Sequence, residues 1–272
     1  MDAFGGSSAT GTLPAQQPPV RRTQNGTPLH AREGEGVSSA KWYFAYGANM
    51  SPAVFLGRRQ IQPLRTEVAR IPRWGLCFNV LGIPYAEPGN GGLRRLDDDE
   101  VASERAAVHG IAYLLTADDL RRIVLSEGGG VGYKVTQLDG VVLKDGLTVP
   151  MNTLMGRHKL GRAGERLPSE RYKNVLARAA SEQGLPDWYQ QRLENQPTFK
   201  PRDTRWYQLG VKLFLPFWIK MAILVEKAAH RLQTADGHAP AWFLAGFDVL
   251  FWIMWTYHDC IHSVIFGRGD GL

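Results

Sequence analysis

The stretch YFAYGANM, residues 43–50, decides how the chain is read. An aromatic, apolar run reads as a strand over Lys41–Tyr46 and breaks on Gly47. Ser51 and Pro52 then open a helix, with a hydroxyl cap and a proline at the first helical position. A glycine at such a strand end lets a ligand approach the backbone closely. Successive N–H groups in the turn form a nest for an anion, and a carboxylate is a natural guest. The same residues also suit a plain strand-to-helix turn.

Outward from this loop, residues 73–80 and 108–115 (VHGIAYLL) read as strands. Thr116 followed by Asp119 resembles a capping box opening the helix DDLRRIVLSE. Residues 131–143 and 147–155 are β-rich and separated by the turn KDG. Ser169 caps a helix through Ala180 that Gly184 closes, and Pro186 starts a further short helix, DWYQQRLENQ. Strands and helices do not alternate regularly. The expected class is therefore α+β, a sheet or small barrel with flanking helices, rather than a doubly wound parallel sheet.

Three parts follow from composition. Residues 1–40 are rich in Gly, Ser, Thr, Pro and Gln without a hydrophobic period, and are expected to be disordered. Residues 41–197 form the folded unit. Residues 198–272 carry five of the eight tryptophans and two apolar stretches, 209–225 and 242–257, joined by a polar linker. The 272 residues are 44% hydrophobic, enough for a sizeable core, and carry a net charge of +6 with no dense basic tract. Nucleic acid is not an expected partner. Two cysteines without a disulfide framework and no apolar leader point to a reducing, cytoplasmic setting. Cys77, in an apolar strand-like run, reads as core rather than nucleophile.

A second motif is SEGGGVGYK, residues 126–134. Glu127 ends an apolar helix and precedes three glycines. A carboxylate there can stand at the mouth of a cleft, and partial desolvation would raise its pKa toward neutrality, where it can shuttle a proton. The alternative is a surface glutamate before a glycine-rich helix stop.

Taken together, YFAYGANM, SEGGGVGY and SERYKNVLARAASEQGLPDWYQQRLENQP (residues 169–197) resemble, in order and spacing, the gamma-glutamylcyclotransferases of the AIG2-like group. The resemblance spans about residues 41–197. It implies a compact α+β fold around a small barrel with a cavity. The implied reaction releases a gamma-glutamyl group as 5-oxoproline, with no metal or cofactor. By match to the family, Glu127 is the catalytic acid/base. Tyr46, Gly47, Ala48, Asn49 and Met50 hold a small gamma-glutamyl substrate, and Tyr133 and Tyr172 position it. Ala48 stands where the family has serine, which favours a different substrate or a non-catalytic binding protein. The ending HDCIHSVIFGRGDG, residues 258–271, resembles the cyclotransferase-like proteins of fungal epipolythiodioxopiperazine clusters. That implies a glutathione-derived conjugate as substrate.

His258 and His262 are one helical turn apart, a zinc-chelating spacing, but no second cluster offers further ligands, so no metal is expected. Each apolar stretch of the tail is shorter than the roughly 20 clean residues of a spanning helix. Two amphipathic helices are expected instead. Lys212, Lys220, Lys227 and Arg231 fall on one arc of the first, with Pro216 interrupting it. Asp248, His258, Asp259 and His262 share an arc of the second, and the two stripes are expected to face each other. Residues 209–266 would then make a peripheral membrane contact or cover a hydrophobic ligand; packing on the barrel as added core is the other reading.

Overall fold

The computed structural model describes residues 40–58, 60–126, 130–161, 164–234 and 238–272. Glu127 and the expected disorder of residues 1–39 lie outside them.

Five strands close into a barrel in the order β1 (Lys41–Ala45), β5 (Val108–Leu115), β2 (Arg65–Ile71), β6 (Tyr133–Val142) and β7 (Thr148–Gly156). β5, a nearly continuous apolar run, pairs antiparallel with β1 on one side and β2 on the other. β1 and β7 run parallel and complete the closure. By register Phe44 and Ile71 lie on one face of these strands and Ile111 and Leu115 on the other, and all four are fully or almost fully buried. A separate hairpin, β3 (Trp74–Ile83) and β4 (Glu87–Arg95), stands beside the barrel. The α+β class with a small barrel holds.

A four-residue helix, α1 (Asp98–Val101), follows β4. Of the capping box expected at Thr116, the forward cap is present: at the start of α2 (Ala117–Ser126) its Oγ accepts from the Asp119 amide at 3.1 Å, while the Asp119 carboxylate accepts from the Thr116 hydroxyl at 2.9 Å. α3 (Glu170–Glu182) is capped by Ser169, whose Oγ accepts from the Tyr172 amide at 3.0 Å. Gly184 closes it with φ +65°. α4 is Asp187–Glu194.

The tail corrects the expected arrangement of its stripes. α5 (Arg205–Leu232) runs unbroken through Pro216, and α6 (Ala241–Tyr257) continues through a wider turn, His258–His262, into α7 (Ser263–Phe266). The arc of Asp248, His258 and His262 does not meet the lysines of α5. Asp248 bonds to Arg157 at 2.7 Å and to His158 at 2.8 Å, both at the barrel. His258 and His262 are buried beside the ring of Tyr85, at the tip of the hairpin. Lys212, Lys220, Lys227 and Arg231 are exposed. The reason is hydrophobic: Tyr207, Phe214, Trp218, Phe251, Met254 and Trp255 bury themselves against Leu81 and Tyr85, and the polar residues on those faces go with them.

The two histidines are structural. His262 Nε2 donates to the Gly210 carbonyl at 3.0 Å, and His258 Nε2 accepts from the Gly269 amide at 3.2 Å. Among the described residues no group of three or more His, Cys, Asp or Glu side chains is placed to hold a metal. The last residues thread back into the fold. The Tyr85 amide donates to the Gly269 carbonyl at 2.6 Å, and the Leu167 amide to the Gly271 carbonyl at 2.8 Å. Asp270, fully buried, pairs with Arg268.

Candidate active site

Where β1 ends, the chain makes one tight turn: the Met50 amide donates to the Gly47 carbonyl at 3.0 Å and the Ser51 amide to Ala48 at 3.1 Å. That turn leaves the Gly47 and Ala48 amides without an acceptor among the described residues. Both residues line a cavity of about 90 Å³, with Tyr43, Tyr46, Asn49, Gly91, Tyr133, Leu154 and Tyr172. Six residues named from the sequence therefore meet in one place: Tyr46, Gly47, Ala48, Asn49, Tyr133 and Tyr172.

Each is held from a different element. Tyr46 donates to the Leu154 carbonyl on β7 at 2.6 Å. Burial, reinforced by Tyr133 and Tyr172, raises its pKa well above the ordinary phenol value, so it stays neutral and acts as an anchor. Asn49 donates to the Tyr43 hydroxyl at 2.9 Å. Tyr172, from the first turn of α3, sets its hydroxyl against the hairpin, where it accepts from the Gly91 amide at 3.1 Å. Tyr133 enters as the first residue of β6.

Met50 does not line the cavity. Its side chain is fully buried, and its carbonyl accepts from Tyr113 and Gln183, both at 3.1 Å. Tyr43, Gly91 and Leu154 do line it and were not legible as site residues. Tyr43 carried a signal, an aromatic hydroxyl within the loop motif itself. Leu154 contributes a carbonyl, which no sequence pattern marks.

Through Ala48, Asn49 and Tyr172 the cavity adjoins a groove of about 680 Å³. Arg122 and Ser126 on α2, Arg171 and Val175 on α3, and His230 on α5 also line it. Arg122 pairs with Asp119 at 3.2 Å and Arg171 with Glu87 at 2.7 Å, so both guanidiniums are oriented at the rim. Ser126, at the end of α2, immediately precedes Glu127. On the other side of the glycine run, Arg157 reaches Gly130: its Nη1 donates to that carbonyl at 3.1 Å, and its own amide donates to Gly132 at 2.9 Å.

Cys77 is buried core, its thiol pushed up to about 12 chiefly by burial, which leaves it a poor nucleophile.

A protein from Claviceps purpurea described as gamma-glutamyl cyclotransferase gliK is 54% identical over 222 residues, spanning 82% of this chain and all of that protein. The chain belongs to the gamma-glutamyl cyclotransferase family. A gliK protein of Aspergillus fumigatus is 34% identical over 244 residues, 85% of this chain and 89% of its own. The AclK C-terminal domain family matches residues 204–265, the stretch that forms α5, α6 and most of α7. A solved gamma-glutamyl cyclotransferase is 20% identical, covers 61% of this chain and 91% of its own, and superposes with a TM-score of 0.49. The cyclotransferase family expected from the loop, the glycine segment and the closing helices holds, as does the likeness to the fungal cluster proteins expected from residues 258–271.

Proposed function

We propose that this cyclotransferase releases 5-oxoproline from a gamma-glutamyl amide, with a glutathione-derived conjugate of fungal secondary metabolism as the substrate. The observation that carries the reading is a small tyrosine-lined cavity, edged by two amides without acceptors, opening into a groove several times larger. A glutamyl arm fits the first and a bulky acceptor the second.

In such an amide the substrate's α-amine attacks its own γ-carbonyl carbon. A C–N bond forms, a five-membered ring closes, and the original amide C–N bond breaks. The protein need not supply a nucleophile. Its first task is to fold the glutamyl chain into the attacking conformer, which can remove about 7–11 kcal/mol of barrier in well-oriented intramolecular reactions. The Gly47 and Ala48 amides hold the α-carboxylate, and Tyr133 and Tyr172 fix the arm. Its second task is proton transfer: the α-ammonium loses a proton before attack, and the leaving nitrogen gains one. Glu127 does both in turn. Ala48 removes one hydroxyl from the loop but leaves its backbone donors. In the groove, Arg122 and Arg171 suit a terminal carboxylate such as the glycyl end of glutathione.

The test is incubation of the purified protein with gamma-glutamyl amino acids, glutathione and S-conjugated glutathione, with mass spectrometry of both products. Equimolar 5-oxoproline and liberated amine are expected, fastest with the conjugate. Intact substrates throughout would refute the reading.

A further inference from the structure

Outside α5, α6 and α7, the large hydrophobic side chains exposed among the described residues are only Leu64, Val135, Leu147, Leu272 and Ile261, the last in the turn that joins α6 to α7. Every other one lies on those helices. Both long helices turn their buried faces onto the β3–β4 hairpin, so their opposite faces look outward together. On α6 that outer face holds Trp242, Val249, Trp252 and Ile253, with Trp242 68% exposed, and Val264 on α7 is 75% exposed. A wide apolar groove of about 590 Å³ runs along it. The only acidic residue within α6, Asp248, is turned to Arg157 and His158. α5 supplies the charge: Arg205, Lys212, Lys220, Lys227 and Arg231 against one acid, Glu226.

We propose that this face is a peripheral membrane-binding surface for an anionic bilayer, independent of the reaction proposed above. Its chemistry matches a lipid interface: aliphatic and tryptophan side chains enter the acyl boundary while the lysines meet lipid phosphates and carboxylates. Contrary to the expectation from sequence, α5 is long and apolar enough to cross a bilayer. But Tyr207, Phe214 and Trp218 of α5 and Phe251, Met254 and Trp255 of α6 are buried with Leu81 and Tyr85 of the hairpin, so the helices lie on the bilayer rather than cross it. A second copy of the chain is a poorer occupant. It would bring another set of lysines, while Asp248 is engaged and Asp259 already neighbours His258 and Arg268.

The experiment is co-sedimentation of the full chain with vesicles of phosphatidylcholine alone and of phosphatidylcholine with phosphatidylserine, beside light scattering without lipid. Binding to the phosphatidylserine vesicles is expected, weakened by salt as surface charges are screened. Lys220→Ala with Lys227→Ala should lower affinity about 25-fold, at roughly fivefold per lysine. Ile253→Asp should abolish binding while the melting temperature holds, since that side chain is 54% exposed. Protein left in the supernatant with both vesicle types, or equal binding to both, overturns the proposal. So does a dimer in solution that Ile253→Asp dissociates, which would assign the face to a second copy.

Discussion

A side-chain carbon placed on Gly47 would stand 3.1 Å from the hydroxyl of Tyr172. The same hydroxyl is the acceptor for the Gly91 amide, so loop, hairpin and α3 converge on one oxygen. Gly47 has φ −115°, which any residue adopts, so space rather than backbone freedom requires the glycine there. Gly47→Ala should displace Tyr172 by a few tenths of an ångström and cost little. Gly47→Val should fill the cavity mouth and lower kcat/KM for 5-oxoproline release at least about tenfold, with the melting temperature nearly unchanged. A fully active Val variant would show that the loop does not hold the substrate.

Glu127→Gln keeps the side chain's shape and removes its titratable proton. General acid–base catalysis typically contributes about 10²–10⁴-fold, and turnover should fall by that much in a protein that melts normally. Near-normal turnover would assign the proton transfers elsewhere.

Tyr46→Phe separates anchoring from chemistry. The Leu154 carbonyl loses its donor, a buried loss of about 1–3 kcal/mol. The phenol stays protonated across the working range, so the pH profile of turnover should keep its shape while the melting temperature drops. A profile altered on its alkaline side would give Tyr46 a catalytic proton instead.

Why some of this was legible in the sequence and some was not has a physical basis. β5 is apolar along its length, and the α3 cap is local chemistry, so each announces itself. β4 is Glu-Pro-Gly-Asn-Gly-Gly-Leu-Arg-Arg, a composition that strands ordinarily avoid. It is a strand because long β3 pairs with it. Its glycines answer to contacts: a Cβ at Gly91 would meet the Tyr172 hydroxyl at 2.9 Å, and one at Gly92 the Asn79 side chain at 2.2 Å. β2, Arg-Thr-Glu-Val-Ala-Arg-Ile, hides behind its charges for a similar reason. In the tail the helical period was plain, but which arc turns inward depends on Leu81 and Tyr85, more than a hundred residues earlier. The site divides the same way: the loop residues were legible, whereas Gly91 and Leu154 arrive from strands whose contribution is backbone.

The docked tail should weaken in acid. Burial lowers the pKa of His258 and His262, and of His158 even though Asp248 pulls the other way. Depressed folded-state values mean that the unfolded chain takes protons first. The stability of the neutral rings is present above about pH 6.5 and lost as pH falls through their folded values. For His258 the geometry agrees, because a proton on Nε2 would face the Gly269 amide. Burial pushes Asp270 up, but Arg268 and Arg166 outweigh it and hold it low, which adds a further loss in stronger acid. The melting temperature should fall between about pH 7 and pH 5, and less steeply in His262→Gln, which can still donate to Gly210. A flat profile would contradict this.

Asp248 ties the tail to the segment that follows Glu127. Its Oδ2 takes Arg157 Nη2 at 2.7 Å, while Nη1 of the same guanidinium donates to the Gly130 carbonyl at 3.1 Å. One arginine fork thus joins α6 to the glycine run, and its planar geometry allows both bonds at once. Asp248→Asn removes the charge and sets an amide donor against either the guanidinium or His158. The ion pair is partly exposed, so the stability cost should be about 1 kcal/mol or less, a fall of about 2–4 °C for a chain of this size. Catalysis should suffer more than stability, because a small displacement of a catalytic segment can cost about 10²-fold. The expected result is a kcat lowered about tenfold with KM nearly constant. Arg157→Lys should reproduce it, since one ammonium cannot span both acceptors in the same geometry. If kcat is unchanged in both variants while the melting temperature falls, α6 lends the domain stability alone.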